Sequence, residues 1–596
     1  MTRLTIPQAL LNTVERFSDR PGLFYKFNGK YREIKWGEVH RKVNQLASFL
    51  LKQGFKRGQH AAILSDTRYE WAIADLACQA IGLVTIPVYP TLREEQIQNI
   101  IIHSETAGIF VSDEWQLEKI RNIRAALPDF FPVVIFDTPA EKSDDVTSLA
   151  EALEYGKQNS GNADILKENV NSTKPDDLAS IIYTSGTTGD PKGVMLTQDN
   201  FMFNVQSCTN VVPVNEEDLF LSFLPLSHVL ERMAGYYLPL YIGASIAYAE
   251  SIDTVAQNMA EMKPTVMISV PRLYEKMNTK IIEAVESGTP VKRKLFYWAL
   301  KKGESYFSRH LNHLSIPFAC KIKFSIADKL VLSKIREKTG GRLSCFISGG
   351  APLQKETGEF FSNVGIVILE GFGLTETSPV TNLNPPEKIK FGTVGPVIPD
   401  VKVKIADDGE ILTKSRSLMK GYYKNESATN EAIDSDGWFH TGDIGFLDED
   451  GYLKITDRKK NILVTSGGKN IYPQPIEQKL KDSVYIAEAV LIGDKRNYVT
   501  ALLLPEQEQL NKFAVNENIQ LSDVGELIRH PKVIELFDKI VSESMAKFAR
   551  YEQVKKYTLL PAEFTIETGE YTPTLKVKRK VIEEKFSKEI NSMYEG

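Results

Sequence analysis

The chain has 596 residues and a mass of 67.0 kDa, about four times the usual domain length, so several packed units are expected. Its composition, 42% hydrophobic and 25% charged, excludes a largely disordered chain. The formal net charge of -5 provides no overall basic field, so nucleic acid is not expected as a partner. The four cysteines are scattered singly, which favours a reducing cytoplasm over a secreted disulfide framework.

The N-terminal half alternates helical and strand patterns. Residues 1–21 predict a short amphipathic helix closed by Pro21 and lack the apolar block of an export signal. Apolar residues then recur at helical spacing from Trp36 to Leu51, and HAAILSD predicts a buried strand after Gly54. Two more helix-to-strand steps follow, which end in TIPVYP and GIFVSD. This alternation is typical of an α/β fold whose ligands bind beyond the carboxyl ends of parallel strands.

Three later segments differ from this alternation in their amino-acid composition. Residues 137–180 are rich in Asp, Asn, Ser and Lys and predict a loop. Residues 289–310 predict a lysine-rich helix. A cationic cluster and two adjacent glycines follow Asp457, which places the domain boundary between residues 1–457 and 458–596. The longest apolar stretches fall short of the ~20 residues that span a bilayer, so no membrane-spanning segment is predicted.

The strongest local signal is SIIYTSGTTGDPKGVMLT, where an apolar strand ends at Tyr183. Hydroxyls, glycine amides and one ammonium follow it, and these groups suit a polyphosphate. No Walker pattern can be aligned, so the segment predicts a different kind of phosphate loop, with a Gly/Thr-rich surface turn as the weaker alternative. The candidate residues are Thr184, Ser185, Gly186, Thr187, Thr188, Gly189 and Lys192.

YTSGTTGDPKG resembles the phosphate-loop signature of the adenylate-forming superfamily, which contains acyl-CoA synthetases, luciferases and nonribosomal peptide adenylation domains. The other motifs of that superfamily follow in order: LPLSHVLER, ISGGAPL, GFGLTETSP, HTGDIG, DRKKNILVTSGGKNIYP and TPTLKVKRK. The last motif and the lysine-rich insert are most similar to those of AMP-forming long-chain fatty acyl-CoA synthetases. The resemblance implies a large N-terminal domain of α/β subdomains and a small, mobile C-terminal α+β domain.

The resemblance implies that a fatty carboxylate attacks ATP to give an acyl-adenylate and pyrophosphate, and that the coenzyme A thiol then displaces AMP. A carboxylate with a pKa of about 4.5 is ionised at neutral pH, so the first step needs no general base. Displacement at phosphorus depends mainly on cations and fixed dipoles. The expected small molecules are fatty acid, ATP, Mg2+ and coenzyme A, in a cytoplasmic protein for which peripheral contact with the inner face of a membrane stays open.

The resemblance also assigns nucleotide-binding residues. Glu376 is the implied Mg2+ ligand, and Thr375 the implied hydrogen-bond donor to a phosphate. Asp443 and Arg458 are the implied ribose contacts. Phe372 stands where the family often has Tyr, a change that keeps stacking on adenine and loses a hydroxyl. The two segments implied to enclose adenine are Gly349, Gly350 and Ala351, and Gly371, Phe372 and Gly373.

Lys576 in TPTLKVKRK matches the family lysine that reaches the carboxylate and the α-phosphate during adenylation. Leu575 precedes it where many relatives have glycine. Two other readings stay open: a register that uses Lys578, and a solvated basic tail that includes Arg579 and Lys580. The implied catalytic residues are Lys576, Glu376, Thr184 and Lys192.

Two chemical steps in one site imply that the site is rebuilt between them. The resemblance implies that rotation of the C-terminal domain does this, with Lys460 at the position of the hinge residue. It also implies that Gly467 and Gly468 then line the coenzyme A tunnel. His228 lies by resemblance beside the acyl pocket, although a lone histidine near apolar residues is often structural. For the basic insert, a solvated helix face is a more common reading than a membrane contact.

Two alternative functions are weighed against the ligase. An acyl carrier protein can replace coenzyme A as the acceptor within the same superfamily. A non-catalytic nucleotide-binding protein belongs to a different class, and such a copy is expected to lose its reactive residues. Lys576, Glu376 and Asp443 are all present, which favours an enzyme.

Overall fold

The structure is a computed structural model that describes residues 1–129, 131–141, 143, 145–159, 164–184, 191–311, 313–519, 523–565, 568–572 and 577–595. Two mixed β-sheets with flanking helices and one antiparallel sheet form the N-terminal part. A smaller α+β unit follows from Leu463. The predicted fold class, α/β with a small C-terminal α+β domain, is therefore confirmed.

The helices of the N-terminal part are α1 (Ile6–Phe17), α2 (Trp36–Lys52), α3 (Tyr69–Ala80), α4 (Glu94–His103), α5 (Glu114–Asn122), α6 (Leu149–Asn159), α7 (Ile165–Asn169), α8 (Gln198–Thr209), α9 (Leu238–Ile242), α10 (Val255–Met262), α11 (Pro271–Glu286), α12 (Pro290–Leu311), α13 (Phe318–Ala327), α14 (Ser333–Glu337), α15 (Lys355–Val364) and α16 (Glu426–Ala432). Those of the C-terminal part are α17 (Pro473–Leu480), α18 (Gln507–Asn516), α19 (Val524–Leu527), α20 (Pro531–Met545), α21 (Arg579–Lys585) and α22 (Ser587–Ser592). Turns of 3-10 helix span Arg124–Ala126, Thr375–Thr377 and Lys459–Asn461, and π-helical turns span Glu231–Tyr237 and Asp328–Leu332.

The strands of the N-terminal part are β1 (Pro21–Phe27), β2 (Lys30–Lys35), β3 (His60–Leu64), β4 (Val84–Val88), β5 (Thr106–Val111), β6 (Val133–Ile135), β7 (Val146–Ser148), β8 (Leu178–Thr184), β9 (Lys192–Thr197), β10 (Leu219–Ser222), β11 (Ser245–Tyr248), β12 (Val266–Ser269), β13 (Cys345–Ser348), β14 (Val367–Gly373), β15 (Val380–Leu383), β16 (Lys402–Ile405), β17 (Glu410–Lys414), β18 (Gly421–Tyr422), β19 (Phe439–Leu447) and β20 (Leu453–Arg458). Those of the C-terminal part are β21 (Leu463–Val464), β22 (Asn470–Ile471), β23 (Ile486–Ile492), β24 (Val499–Pro505) and β25 (Val554–Leu559).

The two large sheets are parallel inside. The first has the strand order β15-β14-β13-β12-β10-β11-β1-β2, and the second β18-β9-β8-β4-β3-β5-β6-β7. The first has an antiparallel strand at each edge, whereas the second is antiparallel at its β18-β9-β8 edge and parallel at its β6-β7 edge. Strands β13 and β14 run parallel with Ser348 opposite Glu370, whereas β8 and β9 are antiparallel with Thr184 opposite Lys192. The residues directly after Ser348 and Glu370 therefore lie side by side at the same end of the first sheet.

Apolar sequence patterns explain where the core lies. Strands β3 and β4 are buried on both faces, as expected for parallel strands covered by helices on each side. Helix α2 buries the stripe Val39, Val43 and Leu46 in the main hydrophobic core, beside α3 and α6, and it matches the helix predicted from Trp36. Helix α3 and strand β5 occur where the later alternation predicted them.

The loop expected over residues 137–180 is wrong for much of its length, because α6 and α7 lie within it. Leu149 and Ala152 of α6 are buried against α2. The helices approach so closely that a Cβ on Gly156 would lie 2.0 Å from the carbonyl oxygen of Gln45. Packing on α2 thus stabilises helix in a stretch whose composition favours turns.

A buried ion pair joins helices and strands behind the phosphate segment. The Arg232 Nη2 atom lies 2.5 Å from Asp75 Oδ1, and both side chains are fully buried. The guanidinium also donates to the hydroxyl of Ser180 in β8 at 2.7 Å, and the Tyr237 hydroxyl donates to Asp75 at 2.7 Å. Several hydrogen bonds therefore satisfy each buried charge, as burial of a charge requires.

We expect Arg232→Met to lower the free energy of unfolding by about 3–5 kcal/mol, because Asp75 would remain as a buried charge without its cation. The midpoint of thermal unfolding measures this loss. Arg121→Met is the matched control, since Arg121 pairs with Glu114 on the exposed surface, where such pairs contribute about 1 kcal/mol or less. Equal midpoints for the two variants would contradict a structural role for the buried pair.

The C-terminal part is built on the sheet β23-β24-β25, which is covered on both faces. Alternate residues of β23 and β24 pack into two cores, one with α17, α18 and α20 and the other with α21 and α22. Strand β20 ends at Arg458 and β21 begins at Leu463, so the predicted boundary at 457/458 falls at the end of β20. Its exact position stays a prediction.

Polar contacts cross between the two parts. The Gln354 side-chain amide donates a hydrogen bond of 2.8 Å to the Asp482 carboxylate. The Glu283 carboxylate of α11 accepts hydrogen bonds of 2.9 Å from the Lys512 ammonium and 2.8 Å from the Gln509 side-chain amide. Within the described part of the chain, no helix has both the length and the apolar character needed to cross a bilayer.

Candidate active site

A cavity of about 3420 Å³ lies between the N-terminal sheets and the C-terminal part. Most of the predicted site residues that are described line it: Thr184, Lys192, His228, Gly349, Gly350, Ala351, Gly371, Phe372, Gly373, Thr375, Glu376, Asp443, Arg458 and Lys460. Gly467 and Gly468 are exposed and do not belong to this lining. Ser185, Gly186, Thr187, Thr188, Gly189 and Lys576 lie outside the described residues.

The predicted phosphate segment connects β8 to β9. Thr184 ends β8 and Lys192 begins β9, and the Thr184 hydroxyl donates to the Lys192 carbonyl oxygen at 3.4 Å. The Lys192 ammonium lies 4.9 Å from the centre of the Tyr422 ring. Tyr422 comes from β18, which pairs with the other edge of β9. An ammonium at the loop end of a hairpin, on the cavity wall, is suitably placed for an anionic ligand.

Glu376 lies in a 3-10 turn just after β14. Its Oε1 atom accepts a hydrogen bond of 2.8 Å from the Tyr422 hydroxyl. Burial, with the neighbouring Glu376 carboxylate, raises the pKa of Tyr422, so the phenol keeps its proton and remains the donor. Tyr422 thus contacts both the predicted phosphate lysine and the predicted metal ligand.

Sequence reasoning missed Tyr422. The available signal was the aromatic pair in KGYYKN, which gives no indication of a partner 46 positions earlier in the chain. The contact arises because β18 is hydrogen-bonded to β9, where Tyr422 lies opposite Val194. One tyrosine therefore links two motifs that are far apart in sequence.

The residues around Glu376 fit a Mg2+ ion that is shared with a polyphosphate. A hard divalent ion takes oxygen ligands and needs few protein carboxylates when phosphates supply the others. Glu376 is partly exposed to the cavity, and Tyr422 fixes only its Oε1 atom. Among the described residues there is no cluster of three or more metal-ligating side chains.

The first predicted adenine segment, residues 349–351, follows β13, and the second, residues 371–373, forms the end of the adjacent parallel strand β14. Gly350 has a φ of +81°, which favours glycine. A Cβ on Gly373 would lie 1.9 Å from the Pro379 carbonyl oxygen, so no other residue fits there. These glycines bring bare backbone to the cavity wall, where a flat ligand ring can approach closely.

Glu370, the residue just before Gly371, is a second feature that sequence reasoning missed. Its side chain is buried and lines the cavity, and its Oε1 atom accepts a hydrogen bond of 2.9 Å from the Leu353 amide. Burial raises the pKa of Glu370 to about 8. The available signal was a single carboxyl at the end of the apolar strand VIL.

We expect Glu370→Gln to stabilise the protein relative to the wild type as pH rises. The raised pKa means that the folded state keeps a proton that the unfolded chain releases above about 4.5. The contribution of Glu370 to wild-type stability is therefore fully present below that pH and is lost as pH rises through about 8. The difference between variant and wild-type unfolding midpoints, measured across this range, should increase with pH.

Glu410→Gln is the matched control with the opposite sign. Burial alone would raise the pKa of Glu410, but hydrogen bonds from Lys459, His440 and the Gly442 amide hold it below its ordinary value. Its contribution is present above the ordinary value and is lost on acidification, so this variant should be destabilised most near neutral pH. The same pH trend in both variants would contradict the assigned states.

The predicted ribose residues face each other across two antiparallel strands. Asp443 of β19 lies opposite Arg458 of β20, with Arg458 Nε 3.0 Å from Asp443 Oδ1. The Asp443 side chain is only 5% exposed, whereas Arg458 reaches into the cavity. The Asp443 amide also donates to the Thr441 hydroxyl at 3.1 Å. Asp443 and Arg458 thus lie together at the cavity wall.

The predicted hinge lies beside a charged network. Lys459 reaches Glu410 at 2.9 Å and Asp408 at 2.6 Å, which ties the segment after β20 to β17. Lys460 itself is exposed and lines the cavity. A short ion-paired segment between two sheets is a suitable place for a change in backbone angles.

His228 precedes the π-helical turn. Its Nδ1 atom accepts a hydrogen bond of 3.2 Å from the Leu230 amide, and its carbonyl oxygen accepts one of 3.0 Å from the Arg232 amide. The imidazole lines the cavity near Leu224 and Val229. This placement suits a binding residue among apolar neighbours.

The segment that contains Lys576 is described only at its two ends. Tyr571 and Val577 form a β-bridge, and Thr572, Val577 and Lys578 line the cavity. Arg579 lies 2.6 Å from Glu477 in a largely buried ion pair, so the solvated-tail reading is wrong for Arg579. Lys580 is exposed.

Residues 10–423 match the family model of the AMP-binding enzyme, and residues 460–596 match that of the AMP-binding enzyme C-terminal domain. The chain belongs to the AMP-binding enzyme family. Long-chain-fatty-acid–CoA ligase FadD15 of Mycobacterium bovis is 34% identical over 95% of this enzyme and 93% of the relative. Human long-chain-fatty-acid–CoA ligase ACSBG2 is 30% identical over 100% of this enzyme and 93% of the relative.

The fold of this AMP-binding enzyme also occurs in solved structures. The anthranilate CoA ligase AuaEII in complex with anthranoyl-AMP superimposes with a TM-score of 0.73 at 18% identity, over 99% of this chain and 100% of that one. The resemblance to adenylate-forming enzymes is therefore confirmed, and enzymes of this family use ATP and coenzyme A.

Proposed function

We propose that this AMP-binding enzyme activates long-chain fatty acids with ATP and transfers the acyl group to coenzyme A, with release of AMP and pyrophosphate. Relatives that carry the name long-chain-fatty-acid–CoA ligase support the substrate class. The observation that carries the chemistry is the contact of Tyr422 with both Lys192 and Glu376 in one cavity. This arrangement places a cation and a carboxylate at the same end of the site.

In the first step the fatty carboxylate attacks the α-phosphorus of ATP. Lys192 offsets negative charge on the phosphates, Asp443 orients the ribose, and the glycines after β13 and at the end of β14 let adenine approach the backbone. Glu376 would hold Mg2+, which supplies charge neutralisation of the phosphates when bound. The attacking carboxylate is already ionised, so the role of these residues is positioning and neutralisation.

In the second step the coenzyme A thiol attacks the acyl carbonyl and AMP leaves. We place the hinge of the domain rotation at Lys460, next to the ion pairs of Lys459 with Asp408 and Glu410. Gly467 and Gly468 are exposed in the present arrangement, and the proposal brings them to the cavity only after rotation. The thiol has a pKa of about 8.5, so a fraction of it is thiolate at neutral pH without a dedicated base.

The test is a product analysis of the purified full-length enzyme with ATP, Mg2+, palmitate and coenzyme A. The proposal expects AMP, pyrophosphate and palmitoyl-CoA in equal amounts. ADP and phosphate as products would overturn the mechanism. Acyl transfer that requires acyl carrier protein and does not occur with coenzyme A would identify the alternative ligase.

The proposal includes a cytoplasmic location with peripheral contact to the inner face of a membrane. Long-chain fatty acids partition into bilayers because each buried methylene is stabilised by about 0.8 kcal/mol. An enzyme that meets its substrate at such a surface would not need free fatty acid in water.

A further inference from the structure

Helices α12 and α13, with the π-helical turn that follows, form a basic hairpin over residues 290–330. It carries nine lysines and arginines and two carboxylates, whereas the whole chain has a net charge of -5. The hairpin is therefore the site of a strong local positive charge on an otherwise slightly acidic protein.

The hairpin also exposes large apolar side chains. Val291 and Phe318 are 75% and 78% exposed, and two further large apolar side chains on each of the same helices are exposed as well. Spacings of three and four residues place each set on one helix face. The side chains are Val291, Leu295 and Trp298 on α12, and Phe318, Ile322 and Ile326 on α13.

The opposite side of α12 fixes the hairpin on the protein. Phe296, Ala299 and Gly303 are buried, and a Cβ on Gly303 would lie 1.9 Å from the Asn363 carbonyl oxygen of α15. The rings of Tyr306 and Phe324 stack at 4.1 Å and hold α12 against α13. The apolar faces are thus exposed on a well-packed element with its own buried side.

Lysines flank the exposed apolar residues. Lys292, Lys294, Lys321 and Lys323 are themselves exposed. Arg293 is the exception, since it pairs with Glu286 at 3.2 Å. Apolar side chains bordered by exposed ammonium groups match the chemistry of an anionic bilayer surface, where acyl chains lie just below negative headgroups.

We propose that the basic hairpin docks on a bilayer of anionic phospholipid, with its apolar residues at the acyl boundary and its lysines on the headgroup phosphates. Helix α11 connects the hairpin to the cavity. At one end, Arg272, Glu275 and Lys276 of α11 line the cavity. At the other end, its last residue, Glu286, accepts a hydrogen bond of 2.7 Å from the Tyr297 hydroxyl of α12. This inference rests on the membrane contact included in the proposed function and names the surface that makes it, whereas binding to vesicles can be measured without catalysis.

The experiment measures binding of the full-length enzyme to two kinds of vesicle, one of phosphatidylcholine alone and one of phosphatidylcholine with phosphatidylglycerol. We expect binding to the anionic vesicles only, and a loss of binding as salt shortens the Debye length from ~10 Å at ~0.1 M to ~3 Å at ~1 M. Quenching of Trp298 fluorescence by brominated lipid, absent from Trp298→Phe, locates the contact.

Two sets of substitutions test the two parts of the surface. The first replaces Phe318, Ile322 and Ile326 by serine, and the second replaces Lys292, Lys294, Lys321 and Lys323 by glutamate. Each should weaken vesicle binding by at least about 20-fold. Matched controls outside the hairpin are Ile252→Ser with Val515→Ser, and Lys539→Glu with Lys547→Glu, which should change binding by less than about threefold.

Equal binding by the wild type and both sets of variants would overturn the proposal. So would a lipid-free dimer of the wild type that the serine substitutions dissociate, because the face would then serve a second copy of the chain. Thermal unfolding midpoints check that the variants are folded. AMP release from palmitate without vesicles is measured separately, so that its absence would count against the proposed function and not against the docking.

Discussion

We expect Lys576→Ala to slow formation of the acyl-adenylate by about 100- to 1000-fold, which is the range found when one preorganised charge or donor is removed from a reacting centre. In the inferred reaction two anions approach each other, the fatty carboxylate and the α-phosphate. A point cation between them stabilises the transition state more than the separated reactants. Exchange of labelled pyrophosphate into ATP measures this step alone.

Lys578→Ala is the matched control, because Lys578 belongs to the same basic segment and lines the cavity. Its amide donates to the Glu570 carbonyl oxygen at 2.7 Å, so its backbone is held in place and the substitution removes only the side chain. A severe loss with Lys578→Ala and near-normal exchange with Lys576→Ala would assign the role to the other register. Acyl transfer to coenzyme A from synthetic acyl-adenylate should survive in Lys576→Ala.

The second large effect is expected for Glu376→Gln. The amide keeps the size of the side chain and the hydrogen bond from Tyr422 but removes the negative charge that a divalent ion requires. We expect adenylation to fall by roughly 100-fold or more. Calorimetric titration of ATP with and without Mg2+ should show that the variant loses the Mg2+-dependent part of ATP binding.

Tyr422→Phe separates the charge of Glu376 from its position. This variant keeps the carboxylate and the ring under Lys192 and removes one hydrogen bond of 2.8 Å to a charged group. A loss of about 5- to 50-fold is expected, with weaker Mg2+ dependence of ATP binding. Unchanged Mg2+ dependence in both variants would remove Glu376 from the metal site.

Local patterns sufficed for the fold class because several elements of the N-terminal part are regular. The stripe of α2 and the mainly apolar strands β3 and β5 have the periods of their elements, and they form where predicted. Residues 137–180 were different. Helix α6 is stabilised by its contact with α2, where Gly156 packs on Gln45. A local sequence pattern of polar residues does not indicate such a contact.

The candidate site also contains some residues that local motifs predicted and others whose roles depend on tertiary contacts. Motifs identified the glycines and carboxylates at strand ends, since each lies within one short segment. Tyr422 and Glu370 were not predicted because their roles depend on contacts between separate segments. Tyr422 is positioned by the pairing of β18 with β9, and Glu370 accepts a hydrogen bond from the Leu353 amide in the loop after β13. Burial, which raises the pKa of Glu370, is a property of the packed structure and not of the residue.

The contacts that cross between the N-terminal and C-terminal parts have a thermodynamic consequence. Gln354 with Asp482, and Glu283 with Lys512 and Gln509, are polar pairs, so their separation exposes hydrogen-bonding groups to water. Exposure of polar surface adds no positive heat capacity change, unlike exposure of an apolar interface. A rotation that breaks these pairs should therefore have an enthalpy that varies little with temperature, so one van 't Hoff slope should describe it from cold to warm conditions.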